Sequence, residues 1–240
     1  MINKTRVYFF LIFFACLFAG NEFSAQKINQ FDKNKKRTGV WMKYYPNKKI
    51  RYKGQFENGK EVGVFKFYDI SDSSKPNAIK VFSKTNDSVS VSFFSIKGNL
   101  KSKGFFLDKK RVGLWKYFFA DGKMMSKEFY VSGNLQGELI NYYPNGKPTE
   151  ISYYRDGLKN GVSQKYSSDG ILIEEVAFKN GKANGLAKYF ELSGNLKEKG
   201  IYKNGKRVGK WEFYLDGEIT ENTDAKKKKT FSKQKQKDKK

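Results

Sequence analysis

Histidine is missing from the chain, and its single cysteine, Cys16, lies within the first 25 residues. Zinc sites built on cysteine or histidine are therefore excluded, as are triads that rely on a histidine base. Beyond residue 25 no internal disulfide can form, so that part of the chain is held by packing and hydrogen bonds alone. Acid is scarce as well: 24 aspartates and glutamates face 48 lysines and arginines, for a formal charge of +24. The apolar run Val7–Phe18 has 12 residues, against the ~20 that a helix needs to cross a bilayer. No phosphate-cradling loop, nucleophile elbow or dinucleotide fingerprint is present. Two carboxylate pairs occur, Asp69 with Asp72 and Glu174 with Glu175. The first lies in a polar stretch, and adjacent residues on a strand point to opposite faces, so neither converges on one bond as acid–base chemistry requires. The reading is non-enzymatic, with no cofactor.

What the chain has instead is a period. Units open at Gly39, Gly63, Val89, Gly113, Gly137, Gly161, Gly185 and Gly209, at steps of 24 residues except for 26 between Gly63 and Val89. Fixed self-similarity of this length marks a repeat array. The sixth residue of every unit is aromatic, from Tyr44 to Tyr214; the twelfth is usually aliphatic; the eighteenth is aromatic in six units, Phe56, Phe106, Tyr130, Tyr154, Phe178 and Tyr202. Asn-Gly and Asp-Gly pairs punctuate these anchors, the strongest short-range sign of hairpins. Each unit reads as two short strands with a turn after each, about fifteen strands in all. The expected fold is all-β: an elongated, twisted antiparallel sheet of tandem 24-residue β-hairpins.

In Tyr143-Pro144-Asn145-Gly146 the proline excludes a primed two-residue turn, and a type I turn with a left-handed glycine and a bulge fits. That register sets the sixth residue opposite the twelfth and adds the eighteenth to the same, apolar face. The other face then carries Trp41, Trp115, Trp211, Tyr45, Phe119 and Tyr143 with Lys49, Arg51, Lys53, Lys101, Lys103, Lys123, Lys127, Lys197 and Lys199. Aromatics interleaved with cations can stack on sugars or hold anions. Equally, this face can be a second hydrophobic layer with lysine stems packed along it.

The segments Tyr52-Lys-Gly54-Gln-Phe56-Glu-Asn58-Gly59-Lys60-Glu-Val-Gly63 and Gly200-Ile-Tyr202-Lys-Asn204-Gly205-Lys206-Arg-Val-Gly209 resemble the membrane occupation and recognition nexus (MORN) repeat in its bacterial variant form, over roughly residues 31–217. The resemblance implies a repeat scaffold; some bacterial members carry an antitoxin label. The unit 63–88 lacks the turn glycines, and the sixth unit has Ser163, Ser167 and Ser168 where others are bulky.

At the N-terminus, Lys4 and Arg6 precede the apolar run, and small residues follow at Ser24-Ala25, the pattern of a secretory signal with cleavage after Ala25. Residues 26–38 read as a half-repeat cap over the array's end, and 39–222 as the array. Residues 223–240, with nine lysines including Lys226, Lys227, Lys228 and Lys229, carry +7 and too little apolar surface to order. The first 25 residues contribute +1, which leaves +16 on 26–222. The repeats themselves are basic, and charge of this size speaks to anionic partners. The expected function is an exported, periplasmic or extracellular scaffold that binds a protein or an anionic envelope component, lipid headgroup or glycan. A neutralising partner for a toxin and a glycan-binding module are the alternatives. Nucleic acid fits poorly with export, and no nucleic-acid motif appears.

Overall fold

The computed structural model describes residues 27–83 and 87–224. Among them nineteen strands and no helix form one antiparallel sheet, in which spatial order follows the chain from Gln30–Phe31 to Glu218–Asp224. Four more strands are found than the period predicts. Gln30–Phe31 and Glu218–Asp224 flank the array, and Asn134–Leu135 and Leu158–Lys159 are short pieces beside irregular junctions.

Two turn types alternate along the chain. After the first strand of a unit, Gly146 N–H donates to the Tyr143 carbonyl at 2.9 Å, and Tyr143 N–H donates to the Lys147 carbonyl at 2.8 Å. Gly146 sits at φ +87°. This is the bulged type I turn that the proline demands. After the second strand, Asn58 and Gly59 both have positive φ (52° and 82°), as do Asp156 with Gly157 and Asn204 with Gly205. These are type I′ turns, whose twist matches that of the flanking strands.

The expected pairing of sixth with twelfth residue is found: Tyr44 faces Ile50, and Phe118 faces Met124. The expected faces are not. Directly beyond that pair the register slips, so that Lys43 faces Tyr52 and skips Arg51; Tyr117 faces Ser126 and skips Met125. This second bulge, at the thirteenth residue, turns the remainder of the strand over. The eighteenth-position aromatics therefore share a face with the third-position residues, Trp41, Trp115 and Trp211. The sixth-position aromatics lie on the opposite face, where Lys103 Nζ stands 5.9 Å from the Phe118 ring and Lys199 Nζ 5.5 Å from the Tyr214 ring.

Most of the buried side chains lie along the face that carries the tryptophans; Ile140, on the other face, is an exception. Each third-position residue crosses the strand of the preceding unit at its sixteenth position. Phe65 covers Gly54, Trp115 covers Gly104 and Trp211 covers Gly200, so closely that a Cβ on any of these glycines would fall within 2.2–2.4 Å of a ring atom. Eighteenth-position rings close the sides edge-on, Phe106 on Trp115 at 5.1 Å and Tyr202 on Trp211 at 5.3 Å. Arginines of the next turn lie over the indoles, Arg111 at 4.9 Å and Arg207 at 3.9 Å. Trp115 and Trp211 are consequently 1% exposed. The core is a string of such local clusters along the sheet, as expected of an array whose units bury their faces against neighbours.

Candidate interaction surface

The aromatic face is largely committed to packing, and the opposite face carries the lysines. Its fourth and fifteenth positions form a row across the strands. Lys53 pairs with Lys66, Lys66 with Ile79, Ile79 with Ser92, Ser92 with Lys103, Lys103 with Lys116, and Lys116 with Lys127. The row continues through Ile140, Ile151, Gln164, Glu175, Lys188, Lys199 and Glu212.

The two halves of this row differ in charge. In the C-terminal half the lysines are compensated: Lys188 meets Glu175 at 3.1 Å and Lys199 meets Glu212 at 2.8 Å. The Glu212 ion pair lifts the Lys199 pKa, while hydrogen bonds from Lys199 and Tyr214 hold the Glu212 carboxyl below its ordinary value. In the N-terminal half, among the described residues, Lys53, Lys66, Lys103 and Lys116 have no carboxylate within ion-pair distance; Lys127 reaches Glu138 at 3.6 Å. Like charges directly opposite on neighbouring strands destabilise a sheet. In the N-terminal half they occur three times, Lys53 with Lys66, Lys103 with Lys116, and Lys116 with Lys127; a fourth opposed pair, Lys188 with Lys199, lies in the compensated half.

A second row runs beside the first, two residues along each strand. Val64, Val81, Phe105, Leu114 and Phe129 lie there, interrupted by Ser90, each between 41% and 50% exposed. The rows meet at a depression of about 470 Å³ lined by Leu114, Lys127, Phe129, Gln136, Gly137 and Glu138.

The structure divides the ligand face expected from sequence. Arg51, Lys53 and Lys127 remain on the open side, Arg51 with its guanidinium 5.8 Å from the Tyr45 ring. Trp115 and Trp211 are core, and Trp41 is half-buried, its indole N–H donating to the Gln30 and Thr38 carbonyls at 3.1 Å and its ring met edge-on by Phe31. The unforeseen second bulge is the reason: it sends tryptophans and lysines to opposite faces. Tyr45, Tyr143 and Lys49 instead join neighbouring hairpin turns. The Tyr45 and Tyr143 hydroxyls donate to the Tyr68 and Tyr166 carbonyls at 2.9 Å, and Lys49 donates to the Ser71 carbonyl. Phe119 is half-buried in its turn, and Lys123 pairs with Asp121 in the same turn at 3.5 Å. Lys226, Lys227, Lys228 and Lys229 lie outside the described residues, as does the segment read as a signal.

One buried polar cluster carried no mark in the sequence beyond the serines of the sixth unit. Ser152 and Ser163, both buried, share a hydrogen bond of 2.7 Å where three other junctions place a glycine under an aromatic ring. Ser152 also donates to Glu150 at 2.7 Å, and Lys159 pairs with the same carboxylate. Burial works against the Glu150 charge, yet the hydrogen bonds from Lys159 and Ser152 outweigh it and hold this carboxyl below its ordinary range. The carboxylate pairs noted in the sequence are equally occupied. Glu174 pairs with Lys165 at 3.0 Å and Glu175 with Lys188 at 3.1 Å; Asp69 and Asp72 accept the backbone N–H groups of Ser71 and Ser74.

The family model of the MORN repeat variant matches residues 37–58, 111–132, 135–156 and 183–204. No curated protein sequence matches the chain. Among solved structures, TarM is similar at 20% identity, over 53% of this chain and 21% of that one, with a TM-score of 0.25. A point mutant of S. aureus TarM in complex with fondaparinux, alpha-GlcNAc-glycerol and UDP is similar at 16% identity, over 51% and 19%, with the same TM-score. The chain spans about a fifth of the length of these structures, and a likeness at this TM-score carries no conclusion.

Proposed function

Because the chain carries MORN repeat variants, we propose that it is an exported, non-catalytic scaffold whose lysine-bearing face holds an anionic component of the cell envelope. The row Lys53, Lys66, Lys103 and Lys116, which among the described residues has no carboxylate within ion-pair distance and is flanked by Lys127 beside Glu138, carries this reading. Each directly opposed lysine pair costs about 0.2–1 kcal/mol in the free protein, and an anion seated along the row removes that cost. Export rests on Lys4, Arg6 and the short apolar run. The Lys-rich segment 223–240 adds a separate, salt-sensitive contact. Binding rather than catalysis is favoured because the acidic pairs Glu174/Glu175 and Asp69/Asp72 already hold lysines or cap turns.

Labelled linear polyphosphate, titrated across a salt series, tests the anionic reading. K103Q/K116Q should weaken binding and flatten its salt dependence, whereas K203Q/K206Q, the same charge change at the far end of the sheet, should have little effect. Equal effects would mean that bulk charge alone is responsible, and the reading fails. Export is tested by N-terminal sequencing of protein from its native host, which should begin near Gln26; intact Met1 in the cytosol contradicts it.

A further inference from the structure

The lysine row does not stand alone. The row of Val64, Val81, Phe105, Leu114 and Phe129 runs parallel to it, ~7 Å away at two residues' separation along a strand. A partner recognised by charge alone leaves these apolar side chains wet. A sheet face also offers no free backbone donors or acceptors, so its occupant must satisfy its own peptide groups. The lysine row extends from the strand Ile50–Glu57 to the strand Met124–Val131, six strand spacings, or about 29 Å, and the apolar row from the strand Lys60–Tyr68 to the same end, one spacing less.

We propose that the occupant is an amphipathic α-helical protein segment of about 20 residues, with a stripe of carboxylates beside a stripe of apolar side chains. At 1.5 Å rise such a helix matches the length of the lysine row, and its backbone is internally bonded. Its apolar stripe covers Leu114 and Phe129 and fills the depression at Gln136 and Gly137, while its carboxylates lie between Lys103, Lys116 and Lys127. A flat bilayer fits less well. Adjacent strands rotate by roughly 20–25°, which turns the face by more than about 100° over six steps, so a plane meets only part of the row, whereas a helix needs contact along a line. Glu138 at the end of the depression disfavours acid there and sets the direction in which the carboxylate stripe ends. The inference deepens the anionic reading and rests on it.

The test uses the full chain and defined probes: a 20-residue helix-forming peptide with adjacent Glu and Leu stripes, the same peptide with its Leu replaced by Ser, linear polyphosphate, and anionic phosphatidylglycerol vesicles. L114Q/F129Q should weaken the two-stripe peptide roughly tenfold and leave polyphosphate binding and the salt slope unchanged. K103Q/K116Q should weaken both. Thermal melts establish that each variant is folded, and L114A/F129A replaces the glutamine variant if it is not. If the Ser peptide binds as tightly as the Leu peptide, or L114Q/F129Q changes nothing while K103Q/K116Q does, the helix is wrong and the anionic reading stands. If vesicle binding depends on Leu114 and Phe129 while peptide binding does not, the surface meets a membrane and the helix is overturned. If K103Q/K116Q leaves every probe unaffected, both readings fall.

Discussion

The indole of Trp115 lies across Gly104, so that a Cβ built there would fall 2.4 Å from the ring. The same contact links Phe65 to Gly54 and Trp211 to Gly200. Where the third residue of a unit is small, the sixteenth residue before it is larger: Ala187 faces Val176, and Ser163 faces Ser152. At the junctions Gly54–Phe65, Gly104–Trp115, Val176–Ala187 and Gly200–Trp211 a small residue thus faces a larger one, as close packing requires. Gly104→Ala should destabilise by about 1–3 kcal/mol through overpacking, and Trp115→Ala by about 3–5 kcal/mol. The double variant Gly104→Val/Trp115→Ala, which copies the Val176–Ala187 junction, should lose less than the sum of its single changes. A double-mutant cycle in urea measures the coupling, and additive losses would contradict the packing rule.

Gly146 holds the bulged turn at φ +87°, and a Cβ at this position would meet no atom of the described residues within 4 Å. Gly146→Ala should therefore act through backbone strain alone, at about 1 kcal/mol. An unchanged urea midpoint would show that the turn relaxes to another form.

The period, the hairpin character and the bulged turn at Pro144-Asn145-Gly146 were legible in the sequence; the type I′ form was not, because Asp-Gly occurs in both turn types, with Asp156 at positive φ before Gly157 and Gly122 and Gly170 in bulged turns. The faces were legible only in part. The bulge at Arg51 and Met125 leaves no local residue signature, since the skipped position is basic in one unit and apolar in another. One unmarked slip of register moved Trp115 from the proposed ligand face into the core. The lysine row could be counted but not aligned, because opposition of Lys103 to Lys116 depends on the same register. The serine cluster was visible only as departures from the repeat; its Glu150–Lys159 pair needed the fold.

The Glu150 cluster gives the acid limb of stability. Its carboxyl titrates below the ordinary value of 4.5 in the folded chain. A group depressed in this way contributes stability above its unfolded pKa and loses it as pH falls through the folded value. The urea midpoint should therefore fall as pH drops below about 4.5. Glu150→Gln should cost roughly 1 kcal/mol at pH 7 and flatten that acid limb. A limb unchanged in the variant would assign it to other carboxylates.

Replacing Lys116 by glutamate tests the central claim most directly, because Lys116 stands between Lys103 and Lys127 in the pairing. If the row is kept for binding at the expense of the free protein, Lys116→Glu should raise the urea midpoint, with a gain in unfolding free energy of about 0.4–2 kcal/mol for two relieved oppositions. The same change should weaken polyphosphate and two-stripe peptide binding severalfold. Stability and binding should move in opposite directions in one variant. A lower midpoint, or binding that matches the parent, would contradict the account.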